Sequence, residues 1–266
     1  MTGLITRSFF ISLEYIDDLQ LKGLKIIQSD QGFKFGMDAV LLSDFAARAG
    51  AVGGERQGYA NKHICDLGTG TGIIPILLAG KTQCQHITAV EIQPQMADMA
   101  SRSVELNGLQ ERVTILCKDL RDLKEMNQTQ DIVTANPPYM KAQAGLPNAN
   151  PSVDMARHEV AGGLEDFVRT AAMLLKQGGA LYMVYRPDRL TDLMYLLRKN
   201  KLEPKAIRFV VSHKGKAPNV MLIKAVCGGR PGSLAIHPEL VVYNADGTYT
   251  AELLDIYNKG EGETNG

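Results

Sequence analysis

Two short segments of this 266-residue chain hold residues whose types and spacing could do chemistry. In Asp131-Ile-Val-Thr-Ala-Asn136-Pro137-Pro138-Tyr139, an apolar strand runs into an amide, two prolines and an aromatic ring. Proline fixes its own φ and pushes the residue before it into extended backbone, so Asn136 and Pro137 are stiff without help from neighbours. Tyr139 adds a π face on which a planar group can stack. The combination suits a flat, amide-bearing substrate, although the tetrapeptide alone would serve equally as a rigid strand exit. In Cys65-Asp66-Leu67-Gly68-Thr69-Gly70-Thr71-Gly72, glycines alternate where a strand closes and a helix opens. Such a loop lets the backbone approach a ligand closely, its helix N-terminus suits a carboxylate, and Asp66 can face a cationic group. Glu91 follows about twenty residues later at a strand end, where a carboxylate accepts hydrogen bonds from ribose hydroxyls. Asp119 lies just past the next strand, among the loop charges Asp122 and Glu125.

Positioning these residues requires a parallel sheet. From residue 62 onward, apolar strand-like runs alternate with helical patterns, the signature of βαβ units. The predicted strands are His63–Asp66, His86–Glu91, Arg112–Cys117, Asp131–Ala135, Ala180–Tyr185, Ala206–Ser212 and Val220–Val226. Helices are expected near Ile73–Ala79, Pro94–Asn107, Leu164–Leu175 and Arg189–Asn200. The last two strands are joined by the short loop His213–Asn219, which predicts an antiparallel hairpin. Residues 1–48 are expected to form an N-terminal unit: two short strands around a Ser29–Gly32 turn, then a helix over Asp38–Ala47, laid as a lid or first layer on the sheet. Residues 49–259 then make the core, with a surface loop at 50–61, and 260–266 a disordered tail.

Acidic and basic residues balance, so attraction to a polyanion would have to come from a local patch. No apolar run approaches the ~20 residues that span a bilayer, and no secretory leader pattern is present, which predicts a cytoplasmic protein without membrane contact. Cys65, Cys84, Cys117 and Cys227 show no metal-ligand spacing; they are expected to be buried free thiols, and no metal is expected.

The glycine loop, GxGxG preceded by a carboxylate, resembles the S-adenosylmethionine loop of class I methyltransferases and not the GxGxxG of dinucleotide folds. The resemblance implies a Rossmann-like α/β fold: a seven-stranded, mostly parallel sheet with one C-terminal antiparallel strand and helices on both faces. It implies S-adenosyl-L-methionine as cofactor, with Asp66, Gly68, Gly70, Gly72 and Glu91 holding it and Asp119 at its adenine amino group. Asn136-Pro137-Pro138-Tyr139 resembles the motif of enzymes that methylate adenine N6, guanine N2 or a glutamine amide. Phe33–Phe45, Asp66–Gly72, Ala89–Glu91, Asn136–Tyr139, Ala156–Glu159 and Lys216–Val220 occur in the order seen in bacterial tRNA(Val) adenine-N6 methyltransferases, over nearly the whole chain. That family modifies an adenine beside the anticodon, which implies a tRNA partner.

Several alternatives stay open on sequence. A ribosomal RNA guanine-N2 methyltransferase could use the same pocket. A protein glutamine methyltransferase normally brings a helical recognition domain, for which the segment ahead of Asp38 is too short. A cofactor-binding RNA adaptor or an NAD-dependent oxidoreductase fits the motifs less well. Weaker substrate-binding candidates are Lys34 and Asp38 before the glycine loop, Arg157 and His158 after the gripping motif, and Lys214 and Lys216 in the late hairpin loop. Asp38 could equally be a helix cap, Arg157 a surface ion pair with Glu159, and His158 a structural residue. The oligomeric state, monomer or homodimer, is left open.

Overall fold

The computed structural model describes residues 14–30, 36–138 and 163–257. Its centre is a sheet of seven long strands: β3 (His63–Leu67), β4 (His86–Glu91), β5 (Val113–Cys117), β6 (Gln130–Ala135), β7 (Leu175–Tyr185), β8 (Leu202–Val211) and β9 (Pro218–Cys227). They are ordered β5-β4-β3-β6-β7-β9-β8. Every pairing from β5 to β7 is parallel, whereas β9 runs antiparallel to both β7 and β8. The chain leaves β3 in one direction for β4 and β5 and returns to its other side for β6, so the strand order reverses between β3 and β6. Ligands of open α/β sheets bind at such a switch point, outside the carboxyl ends of the strands.

Helices cover both faces. On one lie α1 (Met37–Ala47), α2 (Ile73–Lys81) and α3 (Pro94–Leu106), and on the other α4 (Leu164–Leu174) and α5 (Leu190–Lys199). The helices α1 and α2 are apolar nearly all round because each is enclosed: Ala39–Ala47 and Ile73–Ala79 are continuously buried, and the two helices pack on each other as well as on the sheet. In contrast, α4 and α5 are amphipathic, burying Phe167, Val168, Ala171 and Leu174, and Leu193 and Leu197. Pro75 sits in the first turn of α2, where its missing N–H costs little.

Three expectations need correction. Of the two short strands expected around the Ser29–Gly32 turn, the first exists as β2 (Lys25–Ser29), paired with β1 (Glu14–Asp18), upstream. The Asp18 carboxylate accepts from the Gln20 N–H, and Gln20, Lys22 and Gly23 adopt positive φ, so the tight turn lies at 19–24. This hairpin lies on the helices and not on the sheet: the Ser103 hydroxyl accepts from Ile27 N–H, Asn107 Oδ1 from Lys25 N–H, and Glu14 pairs with Arg102. The second strand expected before the helix falls in residues 31–35, outside the described residues, as does the expected tail. Of the cysteines, Cys65 and Cys84 are buried, Cys227 is half-buried and Cys117 is exposed, because β5 is the sheet's edge strand and Cys117 is its last residue.

The C-terminal segment also adds elements with no sequence signal. Two-residue strands β10 (Ala235–Ile236) and β11 (Leu240–Val241) run parallel to β8 along its outer edge, and a short helix α6 (Ala251–Ile256) returns to the α1 face. Among the described residues no helix is long and apolar enough to cross a membrane.

Candidate active site

The glycine loop joins β3 to α2 at the switch point. All three glycines have positive φ: +68° at Gly68, +59° at Gly70 and +89° at Gly72. Their surroundings differ. A Cβ on Gly68 would stand 3.1 Å from the Phe167 ring, and one on Gly72 would stand 3.2 Å from Ala100 Cβ on α3. Gly68 and Gly72 are therefore glycines for packing reasons. A Cβ on Gly70 would meet nothing within 4 Å, so that position borders open space beside the α2 N-terminus. Gly70→Ala should accordingly cost only the left-handed backbone penalty, about 1–2 kcal/mol, while its methyl group intrudes on whatever the loop holds. Thermal melting combined with calorimetric titration of S-adenosylhomocysteine checks this. Binding should fall far more than stability, whereas Gly68→Ala and Gly72→Ala should damage the fold itself.

Glu91, at the end of β4, is buried and bonded back to the loop. One carboxylate oxygen accepts from Gly70 N–H at 2.8 Å and the other from Gln93 N–H at 2.9 Å. The Thr69 N–H bonds to the Val90 carbonyl. The loop is thus fastened to β4, and each Glu91 oxygen keeps a lone pair for a further donor.

Asp66 has no exposed surface. Its Oδ1 accepts from the Thr134 hydroxyl at 2.6 Å, a bond that ties β3 to β6 two residues ahead of Asn136. The two motifs are therefore braced against each other at their base, in a register that pairs Leu67 with Ala135. Asp66 Oδ2 and Thr69 Oγ1 are buried without a hydrogen bond of ordinary length among the described residues. Burial pushes the Asp66 carboxyl up to about 7, a rise that the hydroxyls of Thr134 and nearby Thr69 oppose and that the Glu91 charge adds to. A buried carboxylate oxygen and hydroxyl left unmatched beside an open glycine cradle fit a ligand with a cationic, hydrogen-bonding end.

On the other side of the switch point, Asn136 follows β6. Its side chain is half-buried and makes no hydrogen bond among the described residues, while Pro137 behind it is buried and Pro138 exposed. Tyr139, Lys34, Arg157 and His158 lie outside the described residues. Asp119 caps the 3-10 turn Leu120–Asp122: its carboxylate accepts from Arg121 N–H and pairs with the Arg121 guanidinium at 2.6 Å, which holds its pKa below the usual range. That pairing gives Asp119 a structural role at the β5 end beside any ligand contact. Asp38 is in the first turn of α1, whose N-cap is Gly36, so it does not cap the helix. It lies near Tyr257, whose hydroxyl is raised to about 12 by burial first and then by Tyr249 and Asp38. Lys214 and Lys216 are exposed in the β8–β9 loop without ion-pair partners among the described residues. Thr134 and Thr69 were not found from sequence. The only available signal for Thr134 is its place in strand period, two residues before Asn136.

Among the described residues no cluster of His, Cys, Asp and Glu could hold a metal ion. The sheet order, the glycine cradle and the asparagine across the switch point define a class I methyltransferase. A family model for the methyltransferase small domain matches residues 39–200, more than half of the chain, and the chain belongs to that family. A tRNA1(Val) (adenine(37)-N6)-methyltransferase of Porphyromonas gingivalis (strain ATCC BAA-308 / W83) is 29% identical over 245 residues, covering 89% of this chain and 91% of the relative. A protein of the same name from Haemophilus influenzae (strain 86-028NP) is 27% identical over 244 residues, covering 88% and 94%. Among solved structures, a predicted O-methyltransferase from Agrobacterium tumefaciens superposes with a TM-score of 0.65 at 23% identity over 84% of this chain and 96% of its own, a likeness of fold.

Proposed function

We propose that this chain is an S-adenosylmethionine-dependent methyltransferase acting on the exocyclic N6 amine of an adenine in tRNA, in the anticodon-loop region of tRNA(Val). The observation that carries the reading is the Asp66–Thr134 bond, which holds a glycine cradle and Asn136 on adjacent strand ends. The names and near-complete overlap of the relatives favour adenine over guanine or a glutamine amide.

When bound, the cofactor supplies an electrophilic methyl group. Gly68–Gly72 let the backbone close on it, Glu91 accepts from the ribose hydroxyls with its free lone pairs, and Asp66 Oδ2 with Thr69 Oγ1 receives its ammonium end. The target amine is a poor nucleophile because its lone pair is delocalised into the ring. Asn136 Oδ1 and the Pro137 carbonyl accept its two N–H groups and hold the lone pair toward the methyl, while Tyr139 stacks on the base. As the nitrogen gains positive charge its N–H groups become stronger donors, so these acceptors favour the transition state over the ground state, and the surplus N–H proton then passes to solvent. The single-stranded anticodon loop lets the base be splayed out at little cost.

Asp66 gives this reading a pH signature. Its raised pKa means that the folded apo protein holds a proton more tightly than the unfolded chain, so this group's contribution to apo stability falls as pH rises from about 4 to about 7. Binding an ammonium group there must expel that proton, so affinity for S-adenosylhomocysteine should rise up to about tenfold per pH unit below 7 and level off above it. Calorimetric titration between pH 5.5 and 8 checks this, and Asp66→Asn should flatten the profile. The functional assignment itself is tested by methyl transfer to unmodified total tRNA followed by nucleoside analysis. N6-methyladenosine is the expected product; N2-methylguanosine in ribosomal RNA or methylglutamine in protein would replace the assignment.

A further inference from the structure

The C-terminal segment builds an aromatic ladder on the catalytic edge of the sheet. Strand β8 runs parallel to β7, β6 and β3, so the loop leaving β8 at Val211 emerges at the same edge as Asn136 and the glycine loop. The backbone continues β11 along that loop: Val242 N–H bonds to the Val211 carbonyl and Tyr243 N–H to the Ser212 carbonyl. Tyr243 is thereby set against His213, with ring centroids 5.5 Å apart and planes 30° from parallel. A tight turn, with Asn244 N–H on the Thr248 carbonyl and Gly247 at φ +86°, folds the chain back so that Tyr249 pairs with Tyr243 across an isolated bridge. Those two rings are also stacked, 5.3 Å apart at 26°. His213 is the exposed end of this three-ring stack, and the exposed Lys214 and Lys216 follow it.

Tyr243 and Tyr249 pack half-buried against the core, but His213 extends their stack to the exposed surface. Strand spacing puts β8 about 14 Å from β6, three strands away. A nucleotide strand whose target base occupies the pocket after β6 would pass this point within a few residues. Aromatic faces bind unpaired bases of any sequence, and lysines beside them neutralise the backbone.

We propose that the His213–Tyr243–Tyr249 ladder is a stacking platform for an unpaired nucleotide neighbouring the methylated base, with Lys214 and Lys216 on its phosphates. The proposal rests on the RNA-substrate reading above. It also accounts for the segment Leu234–Tyr257, which carries Tyr243 and Tyr249 to a loop that has one ring of its own. The incoming base extends the stack on the outer face of His213.

The test uses the full chain and a synthetic anticodon stem-loop carrying 2-aminopurine next to the target adenosine. Fluorescence quenching reports stacking, and titration reports affinity. His213→Leu, which keeps bulk but removes the ring, should relieve the quenching and weaken binding about tenfold or more. His213→Tyr should retain both. Lys214→Glu with Lys216→Glu should weaken binding and lower its salt dependence by about two ions. The melting-temperature gain from S-adenosylhomocysteine should be the same in all variants, because none touches the glycine loop. If the wild type methylates the RNA and His213→Leu binds it as tightly and with the same quenching, the platform is wrong and the functional reading stands. If the wild type neither binds nor methylates the stem-loop, both fall.

Discussion

Replacing Asn136 by alanine should lower methyl transfer by two to three orders of magnitude or more while leaving S-adenosylhomocysteine binding within a factor of about two. The magnitude follows from losing an acceptor that matters most when the amine becomes cationic, for which removal of a preorganised electrostatic group costs on the order of 10²–10³ in kcat. The selectivity follows from the geometry. Asn136 makes no hydrogen bond among the described residues, so its removal orphans no partner there, and the Asp66–Thr134 brace beneath it is untouched. Its melting temperature should therefore stay close to the wild-type value. Single-turnover rates with saturating tRNA, set beside calorimetry, separate the two effects. A variant that loses cofactor binding together with turnover would move Asn136 from the amine to the cofactor pocket. Asn136→Asp makes the converse comparison: it keeps an acceptor and adds charge, so it should retain more activity than alanine.

The sheet and its helices were legible because short apolar strand-like runs alternate with helical patterns over most of residues 62 to 227. Glycine and proline mark the boundaries: α2 starts directly after Gly72 and α3 directly at Pro94. Legibility fails where pairing is decided by tertiary contact. Glu14–Asp18 is mostly acidic and carries no strand signal of its own; it becomes a strand because β2 faces it and Arg102 meets Glu14. The strands β10 and β11 are two residues each, too short for any period, and exist because the edge of β8 offers unpaired backbone groups. The same divide runs through the site. The glycine spacing announced a ligand loop, but only packing tells that Phe167 and Ala100 account for two glycines and that Gly70 borders free space. Asp119 fits a ligand role by position, while the Arg121 that occupies its carboxylate lies two residues on and is silent until the turn is built.

The largest stability effect is expected at Asp44, a residue no motif singled out. Asp44 lies in the last turn of α1, almost fully buried, and three cations converge on it: Lys81 at 3.1 Å from α2, Arg48 at 2.7 Å from the C-cap of α1, and Arg56 at 2.9 Å from the following loop. These cations, joined by Arg208, clasp the C-terminal helix. Arg48 pairs with Asp255 at 2.6 Å, the Lys81 ammonium donates to the Ile256 carbonyl at 2.7 Å, and Arg208 pairs with Glu252. Burial alone would raise the Asp44 pKa, but Lys81, Arg48 and Arg56 outweigh it and hold the carboxyl below its usual value. Burial pushes the Lys81 ammonium down to about 8, against the pull of Asp44. Asp44→Ala leaves a buried ammonium without its counter-charge, and removing one member of a buried ion pair costs about 3–5 kcal/mol. Lys81→Met should cost less, since Arg48 and Arg56 still compensate Asp44 and the apolar side chain fills the space. The pH dependence has a definite sign. Asp44's contribution is present above its unfolded value near 4 and is lost as pH falls below it, whereas the depressed Lys81 pKa makes the fold gain stability as pH rises from about 8 toward 10.5. Denaturant titration at about pH 3, 7 and 9.5, on the wild type and both variants, measures these effects. Because α6 also fixes the chain end that carries Tyr249, Asp44→Ala should loosen RNA binding before it affects the distant glycine loop. Equal loss of RNA and cofactor binding would place the cluster's influence in the core as a whole.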